Sequence, residues 1–596
     1  MDRDDGKASS AGTRIRLRFG ALVPLQRALA AGRTTWYADL AVGGGLLALL
    51  YVLIQAATGG SQHLTARTDI RLSYSALPIY AGLSFLRMLA AYILAFIFSI
   101  AYGYAAAYNR RAERILLPLL DILQSIPILS FLPSFVLALI ALFPHGRTGV
   151  EIASVLLIFT SQAWNMTFAF YTSLVTIPRE LREVAAMHRL SPWQRLRQLE
   201  LPYATSGLVW NSMMSWAGGW FFLMESEMFT LGSHDFRLPG LGSYLQQAAN
   251  AGSVGATVAG LLTLGAIIVL LDQLVWRPIV AWSDKFKMEL VAGEQPPRSV
   301  VLILLRRSRL VAWLTEHVFG PTMEAIDSAL TRRAVDAAAR AEPVKARRSG
   351  MAGAVLTVIV GLLALLALLR GVALLETLPK GLWSQLPAAA GETTLRVLLA
   401  LAVTTLWTVP AGVAIGLNKP LANALQPVVQ ILASFPATAL FPGIVVAMVG
   451  QGGNLNIAAV ILMLLGTQWY VLFNVIAGAM AIPDDLKEAT TLFGLGRSLR
   501  WRTLILPAVF PYLITGLITA AGGAWNATIV AEFVTVRGHT FTVLGLGSLI
   551  AQATAGGDYA LLLAATATLS ILVVAINRLV WRRLYHLAEF RFSLNA

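Results

Sequence analysis

Glu183 and Glu488 each sit in a short charged island within apolar sequence, and the two islands are copies of one segment. The first, IPRELREVAAMHRLSPWQRLRQLELP, runs from Ile177 to Pro202, and the second, IPDDLKEATTLFGLGRSLRWRTLILP, from Ile482 to Pro507. Their offset is constant (482 − 177 = 305 and 507 − 202 = 305), so they align without a gap. In each, the glutamate is expected early in a short helix, where a carboxylate complements the positive end of the helix dipole. Gly494 ends that helix because it tolerates positive φ, and Pro202 or Pro507 marks the start of the next apolar run. This is the chemistry of a polar helix–turn–helix offered for docking. Arg189 stands in the first copy where the second has Gly494, so the first turn is expected to be strained or differently shaped.

The residue types that make or break bonds are absent or unarranged. No G-x-x-x-x-G-K-[ST] loop occurs, so nothing cradles the phosphates of ATP in that manner. There is no cysteine, no H-E-x-x-H, and the seven histidines are scattered, which leaves no metal cluster and no nucleophile–base set. The chain is read as noncatalytic. A second class of candidates is polar groups inside apolar runs, which face a bundle interior or a water-filled path. Gln162, Trp164, Asn165, Asn211 and Ser215 in the first half, with Gln468, Trp469 and Asn526 in the second, are the path candidates; most serine and threonine positions are equally explained by helix packing. Gln162 and Gln468, nearly paired, lead this set. Trp220, Glu227, Trp525 and Glu532 are candidate gate or structural residues, with Arg237 or Arg537 as neutralising partners for the carboxylates.

The elements that must position these groups follow from composition. The 596 residues are 57% hydrophobic and 13% charged, with mean hydropathy +0.68; a soluble domain carries about 25% charged residues. Continuous apolar runs near the roughly 20 residues needed to cross a bilayer recur along the chain, which predicts an all-α polytopic membrane protein of about 12 transmembrane helices. Spans are expected near 38–57, 81–107, 116–143, 150–175, 203–231 and 254–276, then near 352–375, 392–417, 424–449, 456–481, 508–533 and 559–581. The net charge of +15 belongs to loops on one side of the membrane rather than to nucleic-acid binding, since no binding motif accompanies it. The basic loops include the N-terminal arm and NRRAER, so both termini are expected on the cytoplasmic side. The polar lead before Trp36 is too long for a cleavable signal, which predicts that the first span is retained.

The duplication reaches well beyond the charged islands. Pro127 matches Pro436 at an offset of 309, while Trp164 with Trp469, Trp220 with Trp525, Glu227 with Glu532 and Gly240-Leu241-Gly242 with Gly545-Leu546-Gly547 return to 305. With an even number of spans each, the halves are parallel repeats, and a path or binding site is expected at their interface. The chain divides into an arm over 1–35, a first transmembrane domain over 36–276, a basic linker over 277–350 and a second transmembrane domain over 351–590. The linker is read as a tether, part of it helical and interfacial.

Glu183-Val184-Ala185, then Arg189, then Leu199-Glu200-Leu201-Pro202, and Glu488-Ala489-Thr490, then Gly494, then Leu504-Ile505-Leu506-Pro507, resemble the EAA loop of permease subunits from bacterial ATP-binding-cassette importers. That pattern is E-A-A, three residues, G, nine residues, I-x-L-P. Arg189 for glycine and Thr490 for alanine are the departures. The resemblance implies a type I importer-like fold and a coupling helix in each loop, assigning Glu183, Ala185, Arg189, Pro202, Glu488, Ala489, Gly494 and Pro507 to ATPase coupling. It also implies two separate ATPase subunits holding ATP and magnesium, no cofactor in this chain, a periplasmic binding protein and an inner-membrane location surrounded by lipid. The prolines of span three, the Trp-bearing fourth span and the Gly-Leu-Gly after span five are similar to the nitrate/taurine-type anion branch, in a form where one polypeptide supplies both halves. Two other classes stay open on sequence grounds: an ion-gradient-driven transporter using the glutamates as proton sites, and a membrane scaffold without transport.

Overall fold

The computed structural model describes residues 69–143, 148–188, 190–228, 237–286, 368–449, 454–536 and 539–592, with isolated positions between. The first half starts with α1 (Leu77–Tyr108) and α2 (Arg110–Ser125), joined at Asn109, whose side chain accepts from the Arg111 and Ala112 amides. Next come α3 (Leu132–Leu142), α4 (Thr148–Thr176), α5 (Arg179–Met187) and α6 (Pro192–Arg195). One π turn, Leu196–Glu200, carries α6 directly into α7 (Leu201–Glu227). A two-residue hairpin, β1 (Thr230–Leu231) with β2 (His234–Asp235), precedes α8 (Leu241–Asn250) and α9 (Val254–Leu271). A second π turn, Asp272–Trp276, leads into α10 (Arg277–Ser283).

The second half repeats this order, element by element. It comprises α11 (Lys380–Gly416), α12 (Lys419–Ser434), α13 (Ala437–Val449), α14 (Leu455–Met480), α15 (Asp484–Leu492), α16 (Arg497–Arg500) and α17 (Leu506–Ala531). The hairpin is β3 (Phe533–Val536) with β4 (His539–Thr542), and α18 (Leu546–Gly556), α19 (Tyr559–Ile576) and α20 (Arg582–Phe592) follow. Its π turns, Trp501–Ile505 and Asn577–Trp581, fall 305 residues after their counterparts. The caps recur too: Asn418 receives the Leu421 amide as Asn109 receives its own, and Asp558 at the head of α19 stands where Ser253 heads α9.

Seven helical runs among the described residues are long and apolar enough to cross a membrane, or eight if the bent pair Val428–Ser434 and Ala437–Met448 is one span. Of the expected spans, 38–57 lies outside the described residues, as does most of 352–375. Helix α7, at the expected 203–231, is not among the seven, because Asn211, Ser212, Ser215, Glu225 and Glu227 lower its hydropathy. It nevertheless packs on α4 as α17 packs on α14.

The expected single spans 116–143 and 424–449 are both broken. Pro127 and Pro436 lack an amide hydrogen and push the preceding residue out of the helical region; Ile126 (ψ 129°) and Phe435 (ψ 119°) are extended. In the second half the chain bends by 76° there. The breaks also join the halves. Ile128 and Leu129 of the first half pack with Phe221 and Phe222 and with Ile529 and Val530 of α17, while Ile431, Phe435 and Ala439 of the second half enter the core built on α1, α7 and α9.

Candidate functional site

The charged islands form α5–α6 and α15–α16. Glu183 and Glu488 are the fifth residues of nine-residue helices, and both are exposed. The expectation that they sit at the helix start is corrected: Glu180, and Asp484 with Asp485, occupy the first turns and complement the dipoles. Ala185 is buried and Ala489 half-buried, so each helix leans on the bundle by its small residues. Gly494 has φ +63°, and around it the Leu495 amide donates to Thr490 O at 3.0 Å, the closing bond of a Schellman turn. Arg189 lies outside the described residues, yet the equivalent bond, Leu190 N to Ala185 O at 3.1 Å, is made around it. Pro202 and Pro507, expected at the start of the next apolar run, lie in the first turns of α7 and α17, each just after a π turn that re-registers the backbone where proline offers no donor. Met187 (82% exposed), Leu492 (86%) and Phe493 (79%) project from these polar helices into the open.

Glu227 and Glu532 are fully buried, and their arginine partners come from α1 and α11. Arg87 Nη1 donates to Glu227 Oε1 at 2.8 Å, Ser84 Oγ donates to the same oxygen at 2.7 Å, and the Gly242 amide donates to Oε2 at 2.8 Å. Arg87 also holds Glu151 through Nε (2.6 Å) and Nη2 (2.7 Å). In the second half Arg396 Nη1 and Thr393 Oγ1 each donate to Glu532 Oε1 at 2.8 Å, and the Gly547 amide donates to Oε2 at 2.9 Å. Arg396 Nε completes its set on Asn456 Oδ1 at 2.7 Å. The expected neutralisation by Arg237 or Arg537 is therefore corrected to Arg87 and Arg396. Arg237 donates to Gln247 Oε1 at 2.6 Å, and Arg537 lies outside the described residues. A charge this buried persists only when paired and hydrogen-bonded, which both nodes achieve.

The node explains the duplicated Gly-Leu-Gly. A Cβ on Gly240 or Gly545 would collide with the Glu227 or Glu532 carboxylate, and one on Gly242 would lie 2.7 Å from Met224 O. The glycines let the heads of α8 and α18 approach closely enough to hand their amides to the carboxylates.

Between the halves lies a cavity of about 80 Å³. Its walls are α7 of the first half and, from the second, the α12–α13 break, α14 and α17. Of the path candidates, Trp469 and Asn526 line it. Gln162 packs inside the first half, its Nε2 3.4 Å from Met88 Sδ and its Oε1 without a hydrogen-bond partner among the described residues. Trp164 stacks edge-on against Phe98, Asn211 donates to Gly207 O at 2.9 Å, and the buried Ser215 hydroxyl has no hydrogen-bond partner among the described residues. Gln468 is buried in α14, and neither it nor Asn165 is among the cavity's walls. Trp525 is buried in the core of its own half, and Trp220 borders a much smaller space beside Asp272.

Residues 95–276 and 408–591 both match the family described as binding-protein-dependent transport system inner membrane component. The chain belongs to that family. Among relatives, it is 32% identical over 148 residues to the nitrate import permease protein NrtB of Synechococcus elongatus (25% of this chain, 50% of the relative). It is 31% identical over 157 residues to the bicarbonate transport system permease protein CmpB of the same species (26% and 54%). It is 28% identical over 171 residues to the taurine transport system permease protein TauC of Escherichia coli (28% and 59%). The chain spans about half the length of the curated relatives it matches.

The family domain occurs twice in this chain, and the two copies are not equivalent. Beneath α5 and α6, Glu200 is fully buried, receives Arg195 Nε at 2.7 Å and the Tyr108 hydroxyl, and Arg195 lies 4.5 Å over the Tyr108 ring. The corresponding residues of the second half are Leu417, Arg500 and Ile505, and there Arg500 Nε has no hydrogen-bond partner among the described residues. Glu200 lies at the unrestricted position of the quoted I-x-L-P, where the second copy has Ile505, and that difference between the copies was the available signal. Arg87 and Arg396 were equally visible as lone arginines in apolar runs.

Proposed function

We propose that this protein is the transmembrane part of an ATP-driven importer that moves a small anion, delivered by a periplasmic binding protein, by alternating access. Two copies of an ATPase subunit, which carry ATP and magnesium, dock on α5–α6 and α15–α16, with both termini on that cytoplasmic side. The single observation that carries the reading is the repeated coupling segment, whose polar helices nonetheless expose Met187, Leu492 and Phe493. Large apolar side chains at the tips of polar helices are the anchors expected of a protein–protein contact. The anion class is supported by relatives named for nitrate, bicarbonate and taurine.

The test is co-purification. Glu488→Ala combined with Gly494→Pro removes the exposed carboxylate and forces φ near −65° where the turn needs +63°. The double variant is expected to lose the ATPase subunit that the wild-type chain pulls down. Retention of that subunit in wild-type amounts sinks the docking assignment.

A further inference from the structure

The cavity between the halves is one-sided, and one residue makes it so. Gly218 of α7 and Gly523 of α17 occupy equivalent places in the two repeats (523 − 218 = 305). Tyr470 of α14 stands against both: a Cβ on Gly218 would lie 3.2 Å from its hydroxyl, and one on Gly523 would lie 3.7 Å from its ring. The counterpart of Tyr470 is Asn165, too short to reach across in the same way. Among the residues lining this cavity, only those of the second half include large aromatic donors.

The opposite side is closed. Asn526 Oδ1 accepts from the Ile128 amide at 2.6 Å, filling the break of span three in the first half. The residue equivalent to Asn526 is Phe221, which offers no acceptor to the break at Pro436, and there the cavity opens. Its polar wall consists of neutral groups: Gln430, Ser434, Trp469, Tyr470 and Asn526, with no charged side chain. Tyr470 and Trp469, the two aromatic donors of this wall, sit next to each other on α14. About 80 Å³ is room for several waters, at roughly 10–15 Å³ each, and hence for one small ion.

We infer that the path contains a single anion subsite built on the second half, with Tyr470 as its specificity-determining donor and Trp469 beside it. This rests on the importer reading above. Neutral donors replace part of an anion's hydration without the deep trap a lysine or arginine would make, which suits a site that must release its occupant. The first half supplies α7 as a wall, and its own break is sealed by Asn526 of the second half.

Uptake is measured in cells carrying the whole transporter, with nitrate, bicarbonate and taurine as probes. Tyr470→Phe removes one hydroxyl at constant shape and should raise KM for the transported probe roughly three- to tenfold, as loss of one neutral hydrogen bond does. Trp469→Phe should shift it in the same direction, and Asn165→Ala should shift it less than either. An unchanged KM in both Tyr470→Phe and Trp469→Phe, or a shift in Asn165→Ala equal to theirs, overturns the one-sided subsite. Absence of uptake of all three probes by the wild-type transporter overturns the anion-import reading itself.

Discussion

At Gly545 a methyl group has nowhere to go, because it would run into the Glu532 carboxylate that Arg396 and the Gly547 amide hold in place. Gly545→Ala must therefore separate a fully buried ion pair, and breaking such a pair costs about 3–5 kcal/mol. Gly556, at the other end of the same helix, has open space around its Cβ position, so Gly556→Ala should be neutral or slightly stabilising. Thermal unfolding in detergent compares the two directly, and equal midpoints would remove the steric account of the motif. The sequence displayed both Gly-Leu-Gly copies but not their reason. Glu227 and Glu532 differ by 305, whereas Arg87 and Arg396 differ by 309, so a single-register comparison never sets each carboxylate beside its arginine. The four-residue shift falls between Pro133 and Glu151, a stretch that the second half spans from Pro442 to Asn456 (151 − 133 = 18 against 456 − 442 = 14).

The broken span is the element the sequence half disclosed. Pro127 and Pro436 were plain in the apolar runs, but a continuous run reads as one straight crossing, since nothing local shows what receives the backbone groups a break releases. Here the receiver is distant: Asn526, almost 400 residues away, accepts from the amides of Ile128 (2.6 Å) and Leu129 (3.4 Å). Asn526→Ala leaves those amides unpaired at a cost of about 1–3 kcal/mol. Hydrogen exchange localises the effect: amides 128 and 129 should exchange faster in the variant, while those of α9 keep wild-type rates. Equal protection at 128 and 129 in both proteins would show that the break is held by something else. The coupling helix and the turn that ends it were more legible, because both follow from residues within twenty positions of one another. What stayed hidden there was burial, as with Glu200, whose partner Tyr108 is 92 residues away.

For the molecule as a whole, duplication fixes the architecture and the departures from it decide how the halves meet. Among the described residues, the side-chain hydrogen bonds that cross the seam come from residues that the repeat does not duplicate. Asn526 corresponds to Phe221, Thr566, which donates to Ser130 O at 3.2 Å, corresponds to Leu261, and Gln430, which donates to Asp272 Oδ1 at 3.1 Å, corresponds to Asp121. Two first halves paired together would set Phe221 against the break at Pro127 and leave its amides without an acceptor. The halves have become complementary rather than interchangeable, as a fused chain permits because each is always present once. Severing the chain within residues 287–298 and co-expressing the fragments tests this. The two fragments should co-purify and restore uptake, because the seam is held by side chains rather than by the linker. The first fragment expressed alone should form no stable pair with itself. Transport by paired first fragments, or failure of the two different fragments to associate, would place the specificity of assembly in the linker instead.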